Sequence, residues 1–181
     1  KEKIVDDMLA TTNPRMVWDL GANIGLFSRL ASRKGMMTLS FDIDPAAVEK
    51  NYREIKQSKE KNILPLLMDL TNPSADIGWA NKERMSLCSS GPADLAMALA
   101  LVHHLAISNN LPFSHIAMFF SKICRDLIIE FIPKSDSQAQ KLLKSREDIF
   151  PNYNRDSFEQ EFRKFFSIEK ARENKPKLYW E

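Results

Sequence analysis

Residues 17–28 read VWDLGANIGLFS, and the predicted fold follows from this stretch. Its apolar start predicts a short buried strand that ends at Asp19, and its later part begins an amphipathic helix. Between the two, Gly21 and Gly25 allow a tight turn and the close approach of a ligand to the backbone. The first N–H groups of the helix point toward the same place. We therefore expect a ligand site at this turn.

Strand-like and helix-like segments alternate along most of the chain. Apolar runs that end in acids or turns predict further strands near residues 36–44, 62–70, 93–98 and 125–133. Pro65 indicates that the strand containing it lies at an edge of the sheet or begins there. The last two runs, SIEKARE and KLYWE, flank NKP and predict two closing strands joined by a turn. This alternation predicts an α/β fold with a parallel sheet between layers of helices.

Composition limits the classes of protein to consider. The 181 residues, 44% of them hydrophobic, predict one domain over residues 1–181, and the absence of an initiator Met suggests missing N-terminal residues. No apolar run is long enough to span a membrane and no leader is visible, so we expect a soluble, cytoplasmic protein. The net charge of +2 is small and the basic residues are interleaved with acidic ones, so we expect no nucleic-acid or membrane partner. Cys88 and Cys124 have no metal-ligand spacing, so we expect no metal.

The turn after Asp19 departs from the dinucleotide-binding pattern G-x-G-x-x-G. Asn23 stands in place of the middle glycine, and no third glycine follows. The preceding carboxylate would repel a pyrophosphate. A cofactor with an amino group and no phosphates fits this turn better, which argues against a nicotinamide-dependent oxidoreductase.

These stretches resemble the motifs of the class I S-adenosylmethionine-dependent methyltransferases. VWDLGANIGLFS resembles their first motif, FDIDPAAVEKNY (residues 41–52) the second, LLMDL (66–70) the third and ADLAMALALVHHL (93–105) the fourth. RDLIIEFIP (125–133) resembles their fifth strand, while SREDIFPNY (145–153) and DLTNPSADIGWAN (69–81) resemble a nodulation-protein-like bacterial group. The resemblance implies a Rossmann-like three-layer sandwich with a mostly parallel seven-stranded sheet that ends in an antiparallel hairpin.

The resemblance also implies an activity, a cofactor and a set of binding residues. The activity would be transfer of a methyl group from S-adenosyl-L-methionine to an unidentified small molecule. No Asn-Pro-Pro-Tyr signature is present in the fourth motif, which argues against amino groups of nucleic-acid bases as acceptors. Asp19, Gly21, Asn23 and Gly25 would contact the methionine portion of the cofactor, and Asp42 would contact its ribose. The adenine would contact Ile43, Asp69 and Leu70, and the sulfonium would contact Ala100 and Leu101.

Several of these residues have a simpler structural interpretation. Asp19 could cap the next turn. Either Asp42 or Asp44 could cap the helix that starts at Pro45, and we favour Asp44 as the cap and Asp42 as the ribose ligand. Trp79 could close over the ligand or anchor its own loop.

The catalytic candidates are His103 and His104. A histidine at this position could accept a proton from the acceptor, although one could also bond to backbone and the other line the pocket. We expect the acceptor pocket over residues 100–105, with Trp79 and residues 150–153 as further walls. The alternative function is a non-catalytic module that binds S-adenosylmethionine and has no open acceptor pocket.

Overall fold

The computed structural model describes residues 1–144, 147–174 and 177–180, and their side chains through residue 172. The strands are β1 (Met16–Leu20), β2 (Met37–Asp42), β3 (Ile63–Leu67), β4 (Ala93–Ala98), β5 (Cys124–Phe131), β6 (Ala171–Asn174) and β7 (Lys177–Trp180). The helices are α1 (Glu2–Thr12), α2 (Leu26–Arg33), α3 (Pro45–Ser58), α4 (Leu87–Ser90), α5 (Phe113–Ile123), α6 (Ser137–Lys144) and α7 (Arg155–Phe162).

The strands form one sheet in the order β3-β2-β1-β4-β5-β7-β6. Strands β1 to β5 are parallel, which confirms the predicted α/β, Rossmann-like parallel sheet. β7 is antiparallel to β5, and β6 is antiparallel to β7. The chain proceeds outward to β2 and β3 on one side of β1, and to β4 and β5 on the other. The order therefore reverses between β1 and β4, where ligands bind in open parallel sheets.

Helices cover both faces of the sheet because its central strands are apolar on both sides. Successive residues of a strand point to opposite faces. In β4, Leu95 and Met97 join a core cluster with α1 and α2, whereas Ala96 and Ala98 join a second cluster with α5 and α7. This arrangement gives the three layers that the strand–helix alternation predicts.

Proline and helix-cap signals led to one correct and one wrong local prediction. β3 contains Pro65 and is an edge strand, as expected. The stretch NKERMSLCSSG (residues 81–91) predicts a short helix with Asn81 as its cap, but this prediction is wrong in its start, because α4 begins only at Leu87. The backbones of Ile77 and Arg84 pair instead, and the Ser86 hydroxyl accepts a hydrogen bond from the Ser89 N–H to cap the short helix.

Candidate functional site

A cavity of about 700 Å³ lies where the strand order reverses, at the carboxyl ends of the parallel strands. Parallel strands bring their ends to one edge of the sheet, so side chains far apart in sequence meet there. Of the predicted cofactor-binding residues, only Gly25 does not line this cavity. The others do, and they are Asp19, Gly21, Asn23, Asp42, Ile43, Asp69, Leu70, Ala100 and Leu101.

The turn between β1 and α2 depends on left-handed backbone conformations. Gly21, Asn23 and Gly25 have φ values of 74°, 51° and 80°. The Gly21 and Ala22 N–H groups both donate to the Phe41 carbonyl at 2.9 Å, which ties the turn to β2. Gly25 precedes α2 rather than lining the cavity. A Cβ there would lie 2.5 Å from Asn51 Oδ1, so only glycine fits without a shift of the neighbouring side chains.

Arg29 supports this turn from below, a role that the sequence analysis missed. Its buried guanidinium Nη1 donates to the carbonyls of Ile24 and Gly25 at 2.7 and 3.0 Å. Its Nε lies 3.3 Å from Glu54 and 3.4 Å from Glu60. The sequence did contain a signal for this role, because Arg29 lies four residues after Gly25 and therefore one helical turn beyond it.

Asp19 is buried at the end of β1 and faces α2. It accepts a hydrogen bond from the Ser28 hydroxyl at 2.6 Å. Burial raises the pKa of Asp19 to about 6, and the bond from Ser28 opposes this shift. The N–H groups of Gly21 and Ala22 donate to Phe41, so the alternative role of Asp19 as a cap for these turn residues is not supported.

The structure separates the roles of Asp42 and Asp44. Asp44 is the N-cap of α3 and accepts a hydrogen bond from the Ala46 N–H at 2.9 Å, as predicted. Asp42 stands in the cavity and accepts from the Asn23 N–H at 2.7 Å and the Asp44 N–H at 2.9 Å. Each carboxylate oxygen has two lone pairs, so Asp42 retains acceptor capacity for a ligand.

The far end of the cavity combines a carboxylate with an exposed apolar surface. Asp69 accepts hydrogen bonds from the Thr71 hydroxyl at 2.7 Å and the Thr71 N–H at 2.8 Å, which lower the pKa of Asp69. Ile43 is 63% exposed although it is a large apolar residue. Side chains of these two kinds suit a flat heterocycle that carries an amino group.

The segment after β4 forms the opposite wall. Ala100 has a φ of 52°, a strained conformation for a residue other than glycine. Such strain is often found where backbone approaches a ligand. Leu101 packs on the turn, since its Cδ1 would lie 3.2 Å from a Cβ placed on Gly21.

The two histidines occupy different positions. His104 begins a π-helical segment, His104–Ser108, and lines the cavity. His103 is 2% exposed and does not line the cavity, although its ring centroid lies 4.2 Å from that of His104. Burial lowers the pKa of His104, and the negative charge of Asp42 opposes this effect. A histidine with a lowered pKa is neutral at pH values near 7 and can accept a proton.

The predicted outer walls of the acceptor pocket are not part of this cavity. Trp79 is 85% exposed and is not among the lining residues. Residues 150–153 line a separate cavity of about 560 Å³ together with residues 110–114. They turn away because Tyr153 stacks on Phe131 and its hydroxyl donates to the Ile132 carbonyl at 2.7 Å. Trp79 and residues 150–153, predicted as further walls of the acceptor pocket, therefore do not line the cavity that contains His104.

Neither a metal-binding cluster nor a membrane-spanning helix is present in residues 1–144, 147–174 and 177–180. No group of three or more His, Cys, Asp or Glu side chains in these ranges is arranged to hold a metal ion. No helix in the same ranges has the length and apolar character needed to cross a bilayer.

Comparison with known proteins identifies a relative by sequence. No protein-family model matches the chain. The chain is 39% identical over 159 residues to the nodulation protein NoeA of Rhizobium meliloti (strain 1021). The match covers 87% of this chain and 33% of NoeA, so the chain spans about a third of the length of this relative.

Solved structures give the fold. The chain is similar to an RNA methyltransferase from Salinibacter ruber in complex with S-adenosyl-L-homocysteine, with 13% identity, a TM-score of 0.57, and coverage of 99% of this chain and 89% of that one. The PH0226 protein from Pyrococcus horikoshii OT3 gives 15% identity, a TM-score of 0.66, and coverage of 96% and 83%. An rRNA methylase from Escherichia coli gives 17% identity, a TM-score of 0.63, and coverage of 98% and 60%. The chain thus has the fold of the class I S-adenosylmethionine-dependent methyltransferases and is a relative of the nodulation protein NoeA.

Proposed function

We propose that residues 1–181 form a single domain that transfers a methyl group from S-adenosyl-L-methionine to a small molecule. The observation that supports this proposal best is the order of three carboxylates in one cavity. Asp69 lies two residues beyond the end of β3, and Asp42 and Asp19 lie at the carboxyl ends of the neighbouring strands β2 and β1. They would receive, in the same order, the adenine amino group, the ribose hydroxyls and the ammonium of the methionine portion.

The residues present fit this cofactor. The carboxylate of Asp42 can accept from two hydroxyls at once, because its present donors use one lone pair on each oxygen. Ile43 offers an apolar surface to the adenine ring, and Leu70, which also lines the cavity, would donate its N–H to a ring nitrogen. The raised pKa of Asp19 fits a buried carboxyl that gains a cationic partner on binding.

The chemistry of the reaction is a displacement at carbon. When bound, S-adenosylmethionine supplies a methyl group on a cationic sulfur, and the sulfur leaves with the electron pair of the broken bond. Alignment of acceptor and donor in one cavity can provide much of the acceleration. Ala100 and Leu101 would border the sulfonium, and His104 would accept the proton that an acceptor hydroxyl or amine releases.

Charge within the cavity favours a small, uncharged or cationic acceptor. The described lining residues include the three carboxylates and a single lysine, Lys1. A polyanion such as RNA would approach a wall with a net negative charge, which opposes its binding. Those solved structures whose names refer to RNA or rRNA methylation share only the fold with this chain.

A non-catalytic binding module is the second candidate. It would retain the carboxylates but lack room beside the sulfonium. In the structure, the cavity continues past Leu101 to His104, Ser108 and Asn109, whose polar side chains could contact an acceptor. This open continuation favours the enzyme.

Calorimetric titration of the chain with S-adenosylmethionine, S-adenosylhomocysteine and NADH tests the proposal. We expect micromolar binding of the first two ligands and none of NADH, because Asp19 and Asp42 oppose the pyrophosphate. Binding of NADH alone, or of none of the three, would contradict the proposed cofactor. Release of S-adenosylhomocysteine in an acceptor screen then separates the enzyme from the binding module.

Replacement of His104 by alanine is expected to affect turnover more than cofactor binding. The imidazole lies on the acceptor side of the cavity, so we expect the Kd of S-adenosylhomocysteine to change by less than about threefold. Loss of a general base lowers kcat by about 100-fold to 10,000-fold. Calorimetry measures the first effect, and methyl transfer to an acceptor found by screening measures the second. A kcat close to that of the unsubstituted chain would assign His104 to the pocket wall only.

A further inference from the structure

Lys1 brings a positive charge to the cavity from the start of α1. Its Nζ lies 2.6 Å from Glu130 Oε2 and 5.0 Å from the centroid of the Phe27 ring. Lys1 and Phe27 both line the cavity, and Phe27 lies on α2 directly after the glycine turn. Lys1 and Asp19 thus line the same cavity, and the positive charge of Lys1 acts to lower the pKa of Asp19, although burial of the carboxyl outweighs this effect.

Glu130 fixes the position of this ammonium. Its side chain is fully buried near the end of β5. A buried carboxylate without a cationic partner is strongly unfavourable, so the ion pair holds Lys1 in place.

The charges along the sheet edge have a defined order. From β3 to β1 they are the carboxylates of Asp69, Asp42 and Asp19, and the Lys1–Glu130 pair lies beyond β4 at the end of β5. Among the described residues that line the cavity, Lys1 alone carries a full positive charge.

The methionine portion of the proposed cofactor ends in an ammonium and a carboxylate on the same carbon. If Asp19 receives the ammonium, the carboxylate carbon lies two bonds from that nitrogen, and the carboxylate needs a cationic donor of its own. A carboxylate buried beside Asp19 without such a donor would be repelled.

We propose that Lys1 binds the carboxylate of the methionine portion and that Glu130 is the residue that positions Lys1. The inference rests on the proposed function, since it names a further cofactor-binding residue in the same cavity. Lys1 thereby makes the site selective for ligands that carry the complete amino-acid end.

Two ligands and two variants test this assignment. S-adenosylmethionine and decarboxylated S-adenosylmethionine differ only in the carboxylate. Lys1→Met is expected to weaken binding of S-adenosylmethionine by about tenfold to 100-fold, the loss of one charged hydrogen bond. It should leave binding of the decarboxylated ligand unchanged. The double variant Lys1→Met with Glu130→Gln removes the cation without leaving a buried carboxylate unpaired, and we expect the same selective loss.

Lys3→Met is the matched control, because Lys3 lies on the same helix, is exposed and does not line the cavity. It should change neither affinity. Equal weakening of both ligands by Lys1→Met and by the double variant, or no weakening of S-adenosylmethionine, would overturn the assignment while the proposed function stands. Failure of the unsubstituted chain to bind either ligand would overturn both.

Discussion

Asp42→Ala is expected to weaken binding of S-adenosylmethionine by about 30-fold to 1,000-fold, or about 2–4 kcal/mol. The substitution removes the proposed acceptor of both ribose hydroxyls. It also removes the hydrogen bond of 2.7 Å from the Asn23 N–H to Asp42 Oδ2, which stabilises the turn after β1. Calorimetric titration with S-adenosylmethionine measures the loss.

Asp44→Ala is the matched control for this substitution. It removes the same charge two residues away and costs the cap of α3, about 1 kcal/mol of stability. We expect it to lower the free energy of unfolding without changing the Kd, because Asp44 does not line the cavity. An Asp42→Ala variant that binds as tightly as the Asp44→Ala variant would rule out the assigned ribose site.

Asp19→Asn is expected to stabilise the ligand-free chain at neutral pH and to weaken cofactor binding. Burial raises the pKa of Asp19 from 3.8 to about 6. The folded state therefore binds the proton more tightly than the unfolded state, and ionisation of Asp19 destabilises the fold. The stabilising contribution of protonated Asp19 is complete below pH 3.8 and is lost as the pH rises through about 6. The full loss is about 3 kcal/mol, at 1.36 kcal/mol for each pKa unit.

Urea unfolding of both chains between about pH 4 and pH 8 isolates this contribution, because the other groups cancel in the difference. As the pH rises, the free energy of unfolding of the variant should increase relative to that of the unsubstituted chain by up to about 3 kcal/mol. A difference that stays constant over this range would contradict the assignment of the shift to Asp19.

Cofactor binding should depend on pH in the opposite direction. The cofactor's ammonium favours the ionised carboxylate, so binding by the unsubstituted chain should weaken as the pH falls below about 6, by at most about tenfold per pH unit. The Asn variant should bind more weakly at neutral pH and lose this dependence. A Kd of the unsubstituted chain that does not change with pH would contradict contact between Asp19 and the ammonium.

Local patterns in the sequence were enough to predict the fold class and the residues that line one half of the cavity. Alternating strand and helix patterns are local, and acids at the ends of parallel strands necessarily meet at one edge of the sheet. This is why the sequence predicts Asp19, Asp42 and Asp69 at one site. The choice of Asp44 as the cap also followed from local chemistry, since Pro45 marks the first residue of α3.

The residues that complete and support the site depend on how the helices and strands pack, and they become clear only in the folded chain. Whether His103 or His104 faces the cavity depends on the π-helical turn that follows, and periodicity does not reveal such a turn. Residues 150–153 lie in a separate cavity because aromatic packing against Phe131 holds them there. Lys1 reaches the site through an ion pair with a residue 129 positions away. Contacts of this kind depend on how the layers pack, so no local pattern in the sequence encodes them.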